Sequence, residues 1–214
     1  RRVSAENARS MAAIEERTQA MIEQNWLKDG ISQLSAALAG DLPLTEMCER
    51  AIRFVARYVK AGHGVLYTYH PQQQVLRLAA AFAFTERDHL SNEYRLGEGV
   101  IGQVAFERAP ILMKHPPQTE SEIVTGTTRL APVNTYTFPL LYNGELHGVL
   151  ELASFEPFGQ KAQDFLSEAD RVIATVLFSA MQKERVHDLL RQSEEAAHEA
   201  EEAKEASQRQ AESA

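Results

Sequence analysis

A chain of 214 residues that is 44% hydrophobic and 24% charged has material for one buried core plus extensions. Its 30 acids against 22 bases leave a net charge of -8, a surface that repels nucleic-acid phosphates and argues against a nucleic-acid binder. A single cysteine excludes a disulfide framework and a cysteine-rich zinc site, and no apolar run reaches the about 18 residues of a membrane span. No signal peptide is visible. Without an initial Met, and with a polar helical run at its end, the chain reads as a piece of a longer protein.

Residues 1–38 read as one helix. No Pro or Gly precedes Gly30. Met11, Thr18 and Asn25 repeat at seven, with Ile14 and Met21 between them, the spacing of a coiled-coil seam. The register slips by one residue at Asn25-Trp26-Leu27-Lys28. Beyond it Leu27 and Leu34 form one row, and Ile31 and Leu38 the other. Such a slip changes the local supercoil. Trp26 marks a hinge there or, more simply, caps the core. The whole helix would be roughly 57 Å long.

Asp41-Leu42-Pro43-Leu44 breaks this helix, and Thr45 is placed to cap a second. Met47, Ala51, Phe54, Val55 and Tyr58 share one face of it, and Gly62-His63-Gly64 ends it. Val65–Tyr69 and Val75–Phe84 read as a hairpin around residues 70–74. Gly97, Gly99 and Gly102 then satisfy G-x-G-x-x-G. A dinucleotide loop follows a buried parallel strand and opens a long helix. Here Asn92-Glu93-Tyr94-Arg95 is polar and the next helix has two turns, so that reading fails. Gly97 and Gly99 serve a tight turn, and Gly102 serves close helix–sheet packing. Pro110–Lys114 is a strand and residues 115–134 a long irregular insert. Thr135–Tyr142 and Glu145–Ser154 form a hairpin across Asn143-Gly144. Helix resumes near Gln160. The order predicts an α+β fold, an antiparallel sheet with helices on one face.

Residues 182–214 carry nine acids and five bases, half of the net charge. They hold no Gly, Pro or aromatic residue and favour helix. Val176, Lys183, Leu190 and Ala197 fall seven apart, with Ser179, Val186 and Ser193 interleaved. Past Leu190, Ala and Ser dominate, a weak coiled coil able to shift its packing. A solvated helix is the plainer alternative.

Leu96-Gly97-Glu98-Gly99-Val100-Ile101-Gly102-Gln103-Val104-Ala105 resembles the core pattern of a GAF domain. So does Phe138-Pro139-Leu140-Leu141-Tyr142-Asn143-Gly144-Glu145-Leu146-His147-Gly148-Val149-Leu150-Glu151-Leu152-Ala153-Ser154, in GAF order and at GAF spacing. With Phe155-Glu156-Pro157-Phe158 the second block is similar to GAF domains of bacterial sensor histidine kinases. The leading helix resembles the segment that joins a HAMP module to such a domain. The acidic tail resembles the linker towards a kinase dimerisation helix. The resemblance implies a six-stranded antiparallel sheet, with a sensor domain at 41–180 between a signalling and dimerisation helix (1–40) and a coiled-coil linker (181–214). It implies a cytoplasmic, non-catalytic two-component module, cut from a membrane-anchored chain with an upstream HAMP and a downstream kinase. It also implies a parallel homodimer through Met11, Ile14, Thr18, Met21, Ile31, Leu34, Leu38, Val176, Val186 and Leu190. The alternative is a ligand-free spacer that relays HAMP motion only.

In the family the ligand lies under the insert, which puts residues 115–136 over the sheet. Thr125, Thr127, Thr128 and Arg129 then offer hydroxyls and one cation to an anionic group. Phe82, Phe84, Phe106 and Tyr136 would wall the pocket. Equally, the insert is a lid without a ligand and the aromatic residues are core. No cofactor is assigned: Cys48 sits away from the pocket, which disfavours bilin attachment, and one cysteine is too few for the reductase branch. Among the scattered histidines, His115 in the insert is the best placed. Glu151, inside an otherwise apolar strand, is expected to make a structural hydrogen bond. No hydrolase elbow, phosphoacceptor histidine motif or kinase ATP motif occurs.

Overall fold

The leading helix α1 (Arg2–Ala37) changes partner at the register slip. Every described side chain from Ser10 to Asn25 is exposed, whereas Leu34 and Leu38 are fully buried and Trp26, Leu27 and Ile31 half-buried. The slip is thus the point where α1 leaves solvent and joins the core of its own chain. The structure, a computed structural model, describes residues 2–83, 92–116, 123–124, 129–130 and 132–212.

Helix α2 (Leu44–Tyr58) begins one residue before Thr45. Pro43 is the N-cap, with φ -56 and ψ 148, and no side chain caps the helix. The proline's fixed φ sets the turn, so the expected Thr45 cap is not made. Met47, Ala51 and Val55 are buried as their spacing predicts, together with Cys48 and Ile52, while Phe54 and Tyr58 stay half-buried at the edge of that face.

Strands β1 (His63–His70), β2 (Val75–Phe82), β3 (Glu93–Arg95), β4 (Ile111–Lys114), β7 (Asn134–Tyr142) and β8 (Glu145–Ser154) form one antiparallel sheet. The order across it is β3-β2-β1-β8-β7-β4. Inside the insert, β5 (Ile123–Val124) and β6 (Arg129–Leu130) pair with each other. Asn143 and Gly144 have φ 51 and 78, the left-handed pair of a hairpin turn whose twist suits its strands.

Helix α4 (Gln160–Glu212) joins α1 and α2 on one sheet face, over Leu66, Phe138, Leu140, Leu150 and Leu152. The short helix α3 (Gly99–Glu107) covers the other face, over Val65, Tyr67, Leu76 and Val149. The helices therefore lie on both faces, three against one. Cover on both sides explains why β8 reads as a nearly continuous apolar run.

Two contacts define how α1 lies along α4. Trp26 meets Phe165 edge-on at 5.5 Å and carries the Lys161 ammonium 4.4 Å above its ring. Further on, Lys183 Nζ is 2.5 Å from Asp41 Oδ1. The chain from Trp26 to Asp41 therefore runs beside α4 from Lys161 to Lys183 in the same direction. The free part of α1 precedes this contact; the free part of α4, exposed from Gln182, follows it.

Candidate functional site

Directly paired residues share a sheet face. Val65, Glu151, Thr137 and Ile111 form one cross-strand row, and His63, Ala153, Thr135 and Met113 the next. Both rows lie on the α3 side. Thr137 and Thr135 are buried, and the Thr137 hydroxyl donates to Glu151 Oε2 at 2.7 Å. This is the structural hydrogen bond expected for Glu151, made along a cross-strand pair. Tyr67, from the neighbouring row, meets Tyr94 edge-to-face at 5.4 Å. Burial, then Tyr94 and Glu151, hold the Tyr67 hydroxyl in its protonated form. α3 shields the Tyr67 half of the face. The insert leaves and rejoins the sheet at the other end, where the His115 N–H donates to the Val133 carbonyl at 2.7 Å.

The arrangement offers neutral hydroxyls, an imidazole and one carboxyl group on an apolar floor. That is a hydrogen-bonding site rather than a nucleophilic one. Cys48 lies on the opposite, helical side, where burial pushes its thiol up to about 12. A thiol held protonated in this way is inert. Among the described residues no group of three His, Cys, Asp or Glu side chains is placed to hold a metal. No helix among them is long and apolar enough to cross a membrane.

Two buried groups pull stability in opposite directions with pH. Burial holds the His63 imidazole down at about 4, so it is neutral at pH 7. Its contribution is complete above the ordinary 6.5 and is lost as pH falls through 4. Burial pushes the half-buried Asp170 carboxyl up to about 6, against the pull of Arg171. Its contribution is present below the ordinary 3.8 and is lost as pH rises through 6. Asp170→Asn is therefore expected to stabilise the protein at neutral pH by about 1 kcal/mol, discounted for its contact with water. The gain should fade in acid. Thermal unfolding at both pH values checks this, and an equal shift at both would refute it.

Phe84, Thr125, Thr127 and Thr128 lie outside the described residues. Arg129 is placed in β6 opposite Val124. Three expected wall residues lie elsewhere. Phe82 and Tyr136 pack in the helical-face core, where Tyr136 meets Phe138 at 5.4 Å. They occupy the wrong phase of a two-residue repeat, in which Tyr136 pairs with Leu152 and Leu112 while Thr135 and Thr137 take the insert side. Phe106 is 66% exposed on α3 and walls nothing. His115 is exposed at the start of the insert, with φ 52. The reading missed His63, Tyr67, Thr135 and Thr137. For the threonines the signal was the alternation Thr135-x-Thr137, which sets Thr137 opposite Glu151 and Thr135 opposite Ala153, with His63 on the far side of Ala153.

The seam residues divide likewise. Met11, Ile14, Thr18 and Met21 are exposed, as are Val186 and Leu190. Leu34 and Leu38 are sealed inside the chain's own core, whereas Ile31 and Val176 pack against it half-buried. Ile22 and Leu189 join the exposed set. A groove of about 510 Å³ follows α4 past Tyr142, Phe178, Ser179, Gln182 and Val186.

A family model described as "GAF domain" matches residues 41–181. No curated protein matches the sequence. Among solved structures, the chain is similar to the GAF domain of an Acinetobacter phosphoenolpyruvate-protein phosphotransferase, with TM-score 0.61 and 17% identity over 74% of this chain and 97% of that one. The corresponding domain from Coxiella burnetii gives TM-score 0.61 and 18% identity over 78% and 98%. Free methionine-R-sulfoxide reductase from Neisseria meningitidis, in complex with its substrate, gives 0.58 and 14% over 73% and 91%. At these identities the likeness concerns the fold.

Proposed function

Because this chain belongs to the GAF domain family through residues 41–181, we propose that it is the sensory and signal-relaying module of a two-component histidine kinase. In this reading an upstream HAMP module feeds α1 and a downstream kinase follows α4. The module works in the cytoplasm as a parallel homodimer within a membrane-anchored protein. The observation that carries the reading is the in-line course of α1 and α4 on one sheet face. A push or rotation arriving along α1 meets α4 across an aromatic clasp and an ion pair. It leaves along a helix whose seam weakens to Ala and Ser after Leu190. A small molecule on the Glu151–Thr137 face would bias the same helices through the sheet.

Cysteine cross-linking tests this. The native Cys48 is buried and silent, so Met21→Cys, Val186→Cys and Leu190→Cys report alone. A parallel dimer links each to its own copy, and locking Met21 should change the yield at Leu190. Absence of same-residue links, or a yield at Leu190 indifferent to the lock, would refute the relay.

The second reading is a spacer that passes on HAMP motion without a ligand. It is favoured by the fill of Tyr67, Tyr94 and α3 over part of the sheet face. Thermal shifts with metabolite mixtures separate the two. Reductase chemistry, the activity of some structural neighbours, is disfavoured by the inert position of Cys48.

A further inference from the structure

On the outer side of the helical layer, α2 and the end of α1 bound a groove of about 460 Å³. Its lining is Ala37, Arg50, Arg53, Phe54, Arg57 and Tyr58. Residues 50, 53, 54 and 57 fall on one helical face, so the three guanidiniums form a row about 10 Å long. In a protein of net charge -8 this is a concentrated positive surface. The arginines are not equivalent. Arg50 is committed, donating to Glu46 Oε1 at 2.6 Å and to the Ala37 carbonyl at 3.4 Å. Arg53 and Arg57 are exposed and make no side-chain hydrogen bond or ion pair among the described residues. Between them lies Phe54, half-buried and stacked on Tyr58 at 5.6 Å with 13° between the rings.

We propose that this groove is a second ligand site, separate from the sheet face, for a planar organic anion. An aromatic ring lies on Phe54, and its carboxylate or phosphate is held between Arg53 and Arg57. The volume is in the range of small-molecule sites. Guanidinium forks give charge-assisted, bidentate bonds to such oxygens, and stacking supplies contact that inorganic anions lack. Because the two arginines are exposed, the affinity falls with added salt. The site is also placed to act. Tyr58, in its wall, donates its hydroxyl to the Trp26 carbonyl at 2.6 Å and stacks on the Trp26 ring at 4.6 Å. A ligand against Tyr58 therefore bears on the joint that fastens α1 to the core.

Calorimetric titration of the 214-residue chain with AMP, 1-naphthoate and inorganic phosphate tests this, with Trp26, the sole tryptophan, as a second readout. AMP or 1-naphthoate should bind at least about tenfold more tightly than phosphate, a difference of about 1.4 kcal/mol. Trp26 emission should change with the same midpoint. AMP alone would point to a nucleotide, 1-naphthoate alone to an aryl carboxylate, and either supports the site. Arg53→Gln with Arg57→Gln should weaken binding about tenfold or more at an unchanged melting temperature, while Arg77→Gln on the sheet leaves it intact. Four results would overturn the proposal: no binding of either probe, equal binding of phosphate, undiminished binding by the double variant, or selective binding of a Glu-rich helical peptide over the small anions.

Discussion

Replacing Gly30 with leucine is expected to detach α1 from the core and to cost about 3 kcal/mol or more of stability. A Cβ at this helical glycine would lie 2.5 and 2.6 Å from the Tyr58 ring and 2.8 Å from Phe165. Neither ring has room to retreat. Tyr58 is stacked on Trp26 at 4.6 Å and on Phe54 at 5.6 Å, and lies 4.6 Å from Phe165. The larger side chain forces the helices apart, and the Tyr58–Trp26 carbonyl bond and the Lys161–Trp26 contact go with them. Urea unfolding measures the loss, and hydrogen exchange across residues 26–38 shows whether α1 is released. Gly159→Ala, where nothing lies within 4 Å of the added carbon, is the control. An unchanged midpoint for Gly30→Leu would mean that the clasp is slack.

Gly102→Ala is expected to cost about 2–3 kcal/mol, from a single methyl group. That carbon would sit 2.1 Å from the Arg95 carbonyl oxygen and 3.1 Å from the Gly97 nitrogen. These are backbone atoms, so no rotamer relieves the clash. The Gly97 N–H also donates to the Gly102 carbonyl at 2.8 Å, which ties the turn to the first turn of α3. Displacing α3 uncovers Val65, Tyr67 and Val149 and loosens the wall of the Glu151 face. Gly97→Ala fails for a different reason. Nothing lies near its would-be Cβ, but φ is +81, so the cost is the about 1–2 kcal/mol of a left-handed residue. Denaturation of both variants, with exchange protection at Ile101–Ala105, separates steric from conformational loss. Equal protection in the two would count against the packing account of Gly102.

Five of the six sheet strands and the long helices were legible because each carries its period openly; β3, three largely exposed residues at the sheet edge, is too short to show one. The two hairpins announce themselves through turn residues, and Val149–Leu152 through unbroken apolarity. What stayed hidden was phase. Phe82 and Tyr136 are aromatic and near the insert, yet one residue's difference in register puts them under the helices and leaves threonines facing the other way. A single strand does not reveal which of its faces is which when both are covered. The slip at Trp26 was visible as a break in spacing, but its meaning depends on Tyr58 and Phe165, 32 and 139 positions away. Thr45 shows the same limit locally: it is a good capping residue, overruled by the proline two positions before it.

The shared direction of α1 and α4 also bears on how such a domain is built into longer chains. A polypeptide that arrives and departs along one axis, offset by about the 8–10 Å between packed helices, can be spliced into a helical stalk without turning that stalk back on itself. The sheet and its insert then hang beside the stalk like a cassette. Their contents can diverge freely, while the few residues at the splice (Trp26, Gly30, Asp41, Lys161, Phe165 and Lys183) must keep the two helical segments in phase.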